Sequence, residues 1–281
     1  MLRKSVLAVS CLLFPFATFA GTADIRASNN QIGIQAISTN VDYTETGNGI
    51  FGTVTGTLDT EKGDVPGSAI FLSAMTGSDQ YFAAEYDHSS GQTTYTGMPI
   101  TGGVFGSIVG VSGAALTNFN ARFGQGFEIG SVGARSVTPF MLTPYVEIGH
   151  HKWDRGVNYG ETYTHNYFAV GTLWQLSPAN SRLVLSANAM LGTTFGANIV
   201  VNSGPGLNGF SGALGNSTLY KVGLAADYAF SNHFHGNAGI DYMSFSYGMS
   251  AVYPVGGGFV SWEPDSKTNY TIFKLGVGYA F

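Results

Sequence analysis

The chain has 281 residues, of which 10% are charged and 14% aromatic, and it contains 40 glycines. Soluble domains carry about 25% charged residues and about 7% glycine, so this chain has less than half of the usual charge and twice the usual glycine. Its aromatic content excludes a disordered chain, and irregular glycine spacing excludes collagen. Beyond the N-terminal region, the sequence has no apolar run of about 20 residues, which disfavours membrane-spanning helices.

Residues 1–20 are predicted to be a targeting signal. Two basic residues begin it, an apolar stretch follows over 5–16, and small residues lead to an expected cleavage after Ala20. Cleavage removes Cys11, the only cysteine, and with it any thiol for redox chemistry or metal binding. Ten basic residues then remain against 17 acidic ones, without the basic stripe that nucleic-acid binding requires. Because no linker interrupts residues 21–281, we predict a single domain there.

Ten segments of this domain alternate between large apolar residues and small or polar ones, which is the period of a β-strand. They lie at roughly 33–44, 66–76, 80–95, 118–131, 139–152, 161–176, 182–196, 217–230, 234–249 and 267–281. Short turns alternate with longer connections at 45–65, 96–117, 153–160, 197–216 and 250–266. An even number of strands with this alternation predicts an all-β, transmembrane, up-and-down antiparallel β-barrel. Twelve strands is the alternative if 96–117 contains a hairpin, and eight is the lower alternative.

The distribution of charge indicates which face of each strand meets lipid. A soluble barrel would turn its apolar residues inward and its charged residues outward, but here the charges lie among the small residues. A basic residue at the lipid-facing midplane would cost about 2–4 kcal/mol. We therefore expect the charged side chains of the wall to line the lumen: Arg122, Glu128, Glu147, Arg182, Lys221, Asp227, Asp241 and Lys274.

The last strand ends in Leu275-Gly-Val-Gly-Tyr-Ala-Phe281, and Leu224 to Phe230 repeats this pattern. Together with the N-terminal signal and the alternating strands, this ending resembles Gram-negative outer-membrane β-barrel proteins, in particular the small monomeric barrels. The resemblance implies an outer-membrane location, contact with membrane lipid and lipopolysaccharide, and a monomeric state. It also implies that Tyr279 and Phe281 form the signal read by the barrel assembly machinery. It implies no particular activity.

One polar cluster lies within nineteen residues, and its members are Glu147, His150, His151, Asp154, Glu161 and His165. A hairpin tip near Val157 would place His151 opposite Tyr163, and would leave Glu147, His151 and His165 on the inward face near the mouth. Imidazole and carboxylate groups could bind zinc or copper, or act as acid and base. We favour the alternative, a hydrogen-bonded rim that fixes the hairpin, and so predict neither a metal nor a cofactor.

A second pair, His88 and Ser90, shares one strand face and could supply a base and a nucleophile. Locally it resembles outer-membrane lipid A deacylases, which carry a His-x-Ser pair on the barrel wall. The neighbouring Asp87 points to the other face, so no orienting carboxylate is identified. We favour ordinary loop-entry residues here, and we find no motif specific to omptin-like proteolysis.

Ten strands should leave little or no continuous pore, because side chains already fill an eight-stranded barrel. The leading prediction is a cell-surface protein with a filled lumen and a structural or interaction role through long extracellular loops. A second hypothesis is a narrow pore or a gate for hydrophobic small molecules, formed if the uncharged loops 96–117 and 197–216 fold into the mouth. Otherwise these loops extend the strands above the membrane. A third is a rim enzyme that acts on lipid A or peptides.

Overall fold

The computed structural model describes residues 22–49, 55–98, 103–131, 138–178 and 181–281. The predicted signal at 1–20, including Cys11, lies outside the described residues. The elements are α1 (Thr22–Ser28), β1 (Gln31–Asn48), β2 (Thr55–Met75), β3 (Gln80–Gly97), β4 (Ile108–Gln125), β5 (Phe127–Ser131), β6 (Pro139–Arg155), β7 (Glu161–Leu176), β8 (Leu183–Val201), β9 (Phe210–Ala213), β10 (Thr218–Ala229), β11 (Phe234–Tyr247), β12 (Tyr253–Gly256), β13 (Phe259–Ser261) and β14 (Asp265–Ala280). In the part of the chain that the structure describes, no helix is both long and apolar enough to cross a membrane.

Ten long strands form a closed antiparallel barrel in the order β1-β2-β3-β4-β6-β7-β8-β10-β11-β14. Pairing of β14 with β1 closes the circle, and every long strand lies beside the next long strand of the chain. Closure pairs the backbone polar groups of the wall, which a sheet in hydrocarbon requires. The short strands β5 and β9 extend two of the hairpins, and β12 and β13 form a separate ribbon. The predicted all-β fold and its count of ten strands are confirmed.

Several strands are longer than their sequence patterns indicate. Pairing between β1 and β2 continues to Asn48 and Thr55, so most of the predicted loop 45–65 is strand. Likewise β4 begins at Ile108, within the predicted loop 96–117, and β8 continues to Val201. In the described residues these segments extend the wall instead of folding into the mouth, because their backbones continue the ladder of hydrogen bonds. Strand extension therefore accounts for 108–117 and 197–201, whereas Leu214, later in the second segment, is buried in the core.

Two zones divide the outer surface of the wall. Toward the short turns, outward side chains are large and apolar, as at Ile34 and Leu275, which are 62% and 69% exposed. Toward the long hairpins, the outward positions become polar, beyond Tyr86 on β3 and beyond Ile148 on β6. We call these zones the lower wall and the upper wall. The lower wall has the apolar band that a membrane-spanning barrel presents to lipid.

Inward-facing glycines make room for aromatic rings of the neighbouring strand. A Cβ atom placed on Gly149 would lie 2.3 Å from Cζ of Tyr167, and one placed on Gly171 would lie 2.6 Å from Cζ of Tyr145. A Cβ atom placed on Gly33 would likewise lie too close to the ring of Phe71. Part of the high glycine content thus follows from packing, because large rings fill the lumen only where the adjacent strand lacks a side chain.

The helix α1 lies across the end of the barrel that carries the short turns. Ile25 on this helix is fully buried, and Arg26 Nε donates to Asp79 Oδ1 in the β2–β3 turn at 2.8 Å. Just after the helix, Asn29 Nδ2 donates to Gln175 Oε1 at 2.7 Å. These contacts attach α1 and the residue that follows it to the β2–β3 turn and to the end of β7, so α1 covers the lower end of the lumen.

Candidate functional site

Above α1 the lumen contains a polar cavity of about 210 Å³. On its wall, Lys274 Nζ donates to Glu85 Oε1 at 2.7 Å and lies 3.2 Å from Asp241 Oδ2. Below these, Asp227 Oδ1 lies 2.6 Å from His235 Nδ1. Lys274, Asp241 and Asp227 all face the lumen, where Lys274 pairs with Glu85 and Asp241, and Asp227 pairs with His235.

The next level of the lumen is built around Glu147, whose side chain is completely buried. Lys221 Nζ donates to Glu147 Oε1 at 3.0 Å, and the Tyr167 hydroxyl donates to the same oxygen at 2.7 Å. Arg122 Nε donates to the other oxygen, and the Arg122 guanidinium lies over the ring of Tyr145. These residues come from β4, β6, β7 and β10, so this polar layer reaches across the lumen from three adjacent strands to one that does not neighbour them.

A layer of aromatic and histidine side chains lies above Glu147. His151 pairs directly with His165 across β6 and β7. The predicted pairing of His151 with Tyr163 is therefore wrong by two residues in the register of the hairpin. The two imidazole centroids are 5.0 Å apart. His151 Nδ1 lies 2.6 Å from Asn118 Oδ1, and His165 Nδ1 lies 2.7 Å from the hydroxyl of Tyr247. The register differs because the turn comprises five residues, Gly156 to Gly160, rather than a tip centred on Val157.

Burial controls the charge of this histidine pair. Burial lowers the pKa of His151 well below its usual value, and the neighbouring His165 lowers it further. Burial also lowers the pKa of His165 to about 3. Both rings are therefore neutral at pH 7, which removes the possibility of a shared positive charge. Their neutral state suits hydrogen bonding to the amide and hydroxyl partners.

The structure does not bring Glu147 together with the histidine pair as one site. All three side chains face inward, but Glu147 contacts Arg122, Lys221 and Tyr167 below the imidazoles. Within the described ranges, no group of three or more histidine, cysteine or acidic side chains is placed to hold a metal ion. The proposed metal or acid–base trio is therefore not assembled, because the carboxylate is already bound to two cations.

The most highly charged cluster lies at the mouth, and it is one that sequence reasoning missed. The Arg155 side chain is completely buried; its Nε donates to Glu61 Oε1 at 3.0 Å and its Nη1 to Glu161 Oε2 at 2.9 Å. The guanidinium carbon lies 4.4 Å from the centroid of the Tyr43 ring, within the range of a cation–π contact. A third carboxylate, Asp59, lies 3.5 Å from Nη2. We call these side chains the Arg155 cluster.

The loop between β13 and β14 closes over this cluster. Its Glu263 accepts a hydrogen bond from the hydroxyl of Tyr163 and is almost fully buried. Burial raises the pKa of Glu263 to about 8, and the nearby carboxylate of Glu161 contributes to this rise. Glu263 is therefore largely protonated at pH 7. A neutral acid in this place limits the excess of negative charge around the single guanidinium.

Two of the charges predicted to line the lumen lie elsewhere. Glu128 is exposed on the short strand β5, and Arg182 is exposed immediately before β8, where its Nη1 donates to the carbonyl of Phe230 at 3.1 Å. Both residues lie at the rim formed by the short turns. At a rim an alternating pattern no longer separates lumen from lipid, because a side chain there can turn toward water.

His88 and Ser90 both point outward on the upper wall and are exposed. The Nδ1 atom of His88 lies 3.0 Å from Thr117 Oγ1, while Asp87 faces the lumen and accepts a hydrogen bond from Asn118 at 2.7 Å. The carboxylate and the histidine thus lie on opposite faces of β3, as alternation requires. This arrangement does not supply the oriented base that a serine nucleophile needs.

The comparisons with known proteins agree with this architecture. No protein-family model and no curated protein matches the chain. Among solved structures, the outer-membrane protease OmpT from Escherichia coli has a TM-score of 0.56 at 9% identity, over 89% of this chain and 95% of OmpT. OprG from Pseudomonas aeruginosa has a TM-score of 0.35 at 14% identity, over 90% and 98% of the two chains. The neisserial surface protein NspA has a TM-score of 0.32 at 11% identity, over 89% and 97%. The match to OmpT agrees with the fold of a Gram-negative outer-membrane β-barrel, and an identity of 9% carries no activity with it.

Proposed function

We propose that this protein is an outer-membrane β-barrel of the cell surface, with a sealed lumen and an upper wall that makes contacts outside the cell. The barrel fold and the apolar lower wall support the outer-membrane location. Tyr279 and Phe281 are 46% and 64% exposed at the end of β14, where the assembly machinery would recognise them. Such a barrel is exported by a cleaved signal and is inserted from the periplasmic side, which places the long hairpins outside the cell.

The observation that carries the proposal is that side chains fill the lumen at successive levels. The helix α1 covers the lower end, Glu147 and its partners join the walls above the cavity, and the Arg155 cluster closes the mouth. A conducting pore would need to open each of these levels. The contacts at each level are charge-assisted or buried, and such contacts cost the most to break. This favours an interaction role over transport.

The upper wall also offers a surface for lipopolysaccharide. His88, Thr117 and Lys152 face outward in one row across β3, β4 and β6, because they are direct partners in the strand pairing. Tyr86 and Phe119 form the next row below, inside the apolar band. A row of histidine, hydroxyl and lysine side chains immediately above apolar ones suits the phosphate groups of an outer-leaflet lipid, which would compete with Asp154 for the Lys152 ammonium. We expect lipid contact here without catalysis.

Planar-bilayer recordings test the sealed lumen. Wild-type protein should produce no steady current, and a variant with both Arg122→Ala and Lys221→Ala should produce more channel events because two side chains leave the Glu147 level. Steady conductance by the wild type that these substitutions leave unchanged would contradict the proposal. A variant with Lys152→Ala serves as the matched control, because that lysine is on the outer surface.

Labelling of intact cells tests the orientation. The predicted mature chain contains no cysteine, so single cysteines introduced as Gly110→Cys and Ser78→Cys report one position each. Gly110 lies on a long hairpin and Ser78 in a short turn, and both positions are exposed. A membrane-impermeant maleimide should label the first variant in intact cells, and the second only after lysis. The reverse pattern would show that the assigned orientation is wrong.

A further inference from the structure

The β3–β4 hairpin rises above the rest of the wall and leaves one edge of β4 open. Pairing of β4 with β3 extends to Ile108 opposite Gly97, whereas pairing of β4 with β6 begins only at Ala114, opposite Arg155. Residues 108–113 therefore have a strand neighbour on one side. On the other side, no strand within the described ranges pairs with them. Among the strands that the structure describes, this stretch of β4 is thus a sheet edge without a neighbour, and it lies outside the apolar band.

The direction of the unpaired backbone groups follows from one hydrogen bond. The carbonyl of Gly113 accepts from the amide of Gly156, at 2.8 Å, on the side where β6 ends. In an antiparallel strand the amide and carbonyl of alternate residues point to the same side. Val109 and Val111 consequently direct their amides and carbonyls toward the open edge. Two donors and two acceptors are available there for another strand.

The side chains of this edge are apolar and exposed. Val109 is 67% exposed, Val111 is 71% exposed, and Val104 in the adjacent turn is 77% exposed. No charged residue occurs from 100 to 117. Sheet edges are usually protected by charge, proline, a bulge or a covering segment, because an open edge templates strand addition. The β4 edge at 108–113 carries neither charge nor proline.

We propose that this edge binds an extended, uncharged segment of another protein, which adds to β4 as a further strand. The inference rests on the proposed function, since it requires the hairpin to face the cell exterior. Backbone hydrogen bonds would supply affinity, and the outward valines would select apolar side chains at alternate positions. An acyl chain does not fit, because it has no groups to pair with the amides and carbonyls. The outward residues of β3 beside this edge, Gln92 and Thr94, are polar, which further disfavours an acyl chain.

A second copy of this chain fits the edge less well. All copies in one membrane have the same orientation, so β4 runs in the same direction in each of them. A twofold axis along the membrane normal would then pair the two edges as parallel strands, and parallel pairing is slightly less stable per residue than antiparallel pairing. A free segment of a partner protein has no such restriction and can add in the antiparallel direction.

A peptide-binding experiment tests the proposal on the full-length barrel in detergent. The probe is a fluorescent hexapeptide of alternating threonine and valine with blocked ends, and binding is measured by anisotropy. Val111→Pro removes an amide that faces the open edge, without removing a ladder hydrogen bond to β3. Loss of one hydrogen bond and distortion of the edge should weaken binding at least about tenfold. Val111→Ala, the matched control, retains the amide and should bind within about threefold of wild type.

Strand addition and binding through side chains alone predict different results. Equal binding by wild type and Val111→Pro, unchanged binding of a peptide N-methylated on every amide, or no binding by wild type would each overturn the proposal. If Val111→Pro does not fold, Val109→Lys places a charge on the same edge and should also weaken binding. A wild-type dimer in sedimentation that Val111→Pro dissociates would overturn it in favour of a second copy as the partner. The conductance and labelling tests of the proposed function do not depend on any of these results.

Discussion

Replacing Arg155 with methionine removes the only positive charge from the mouth cluster while keeping a side chain of similar length. The guanidinium forms charge-assisted hydrogen bonds to Glu61 and Glu161, and its side chain is completely buried. A charge-assisted hydrogen bond contributes about 1.5–3 kcal/mol, and breaking a buried ion pair by removing one partner costs about 3–5 kcal/mol. We expect the free energy of unfolding to fall by about 3–5 kcal/mol at pH 8, because buried carboxylates lose their counterion.

The loss should depend on pH. Arg155 lowers the pKa of Glu161, which burial raises above its usual value, so removal of the guanidinium raises that pKa further. A carboxyl group with a raised folded-state pKa contributes most to stability at low pH, and the contribution is lost as pH rises through that pKa. The difference between wild type and Arg155→Met should therefore be smaller at pH 5 than at pH 8.

Urea unfolding in detergent micelles, followed by tryptophan fluorescence, measures this difference. Trp153 is a suitable probe, since the Arg155 guanidinium carbon lies 5.2 Å from the centroid of its ring. Lys152→Met is the control, because Lys152 pairs with Asp154 on the exposed face and should change stability by less than about 1 kcal/mol. A loss below about 1 kcal/mol in Arg155→Met at pH 8, or a larger loss at pH 5, would refute the reasoning.

Four further substitutions test packing and protonation by urea unfolding in the same micelles. Gly149→Ala should lower the free energy of unfolding by about 1–3 kcal/mol, because the new methyl group meets a tyrosine ring. Gly110→Ala has open space and should stay within about 0.5 kcal/mol of wild type, and equal losses at the two glycines would contradict the packing account. Burial lowers the pKa of His165 to about 3, so the free energy of unfolding of the wild type should rise between pH 3 and 6.5. His165→Phe should reduce this rise. An unchanged dependence of the unfolding free energy on pH would be evidence against a buried neutral ring. Burial raises the pKa of Glu263 to about 8, so Glu263→Gln should reduce the loss of stability between pH 4.5 and 8, and an identical pH profile would disprove that role.

Local alternation is sufficient to predict the lower wall. Along β14, Phe273, Leu275 and Val277 face outward while Lys274 and Gly276 face inward, as the period-two pattern predicts. The signal is strong there because lipid and lumen are different solvents, and each strand must present a different face to each. The same contrast predicts ten strands and orients most of the wall charges.

The pattern fails where that contrast ends. Above the membrane both faces of a hairpin meet water or polar neighbours, so the sequence predicts a loop for the upper part of β2. Asp59 and Glu61 nevertheless occupy alternate positions and share the inward face. That spacing is the available signal for the mouth cluster, but two acidic residues at alternate positions are equally compatible with a solvated loop. At the opposite rim, Arg182 is exposed for the same physical reason.

The amino-acid sequence by itself determined the strand period, the character of each face and the number of strands, because these depend on residues a few positions apart. Only the tertiary structure decided the register and the partners across the lumen. His151 meets His165 because of the turn length, and Arg155 meets Glu61, 94 positions earlier, because the barrel closes. Closure is a property of all ten strands together, so no local pattern specifies which inward charges meet.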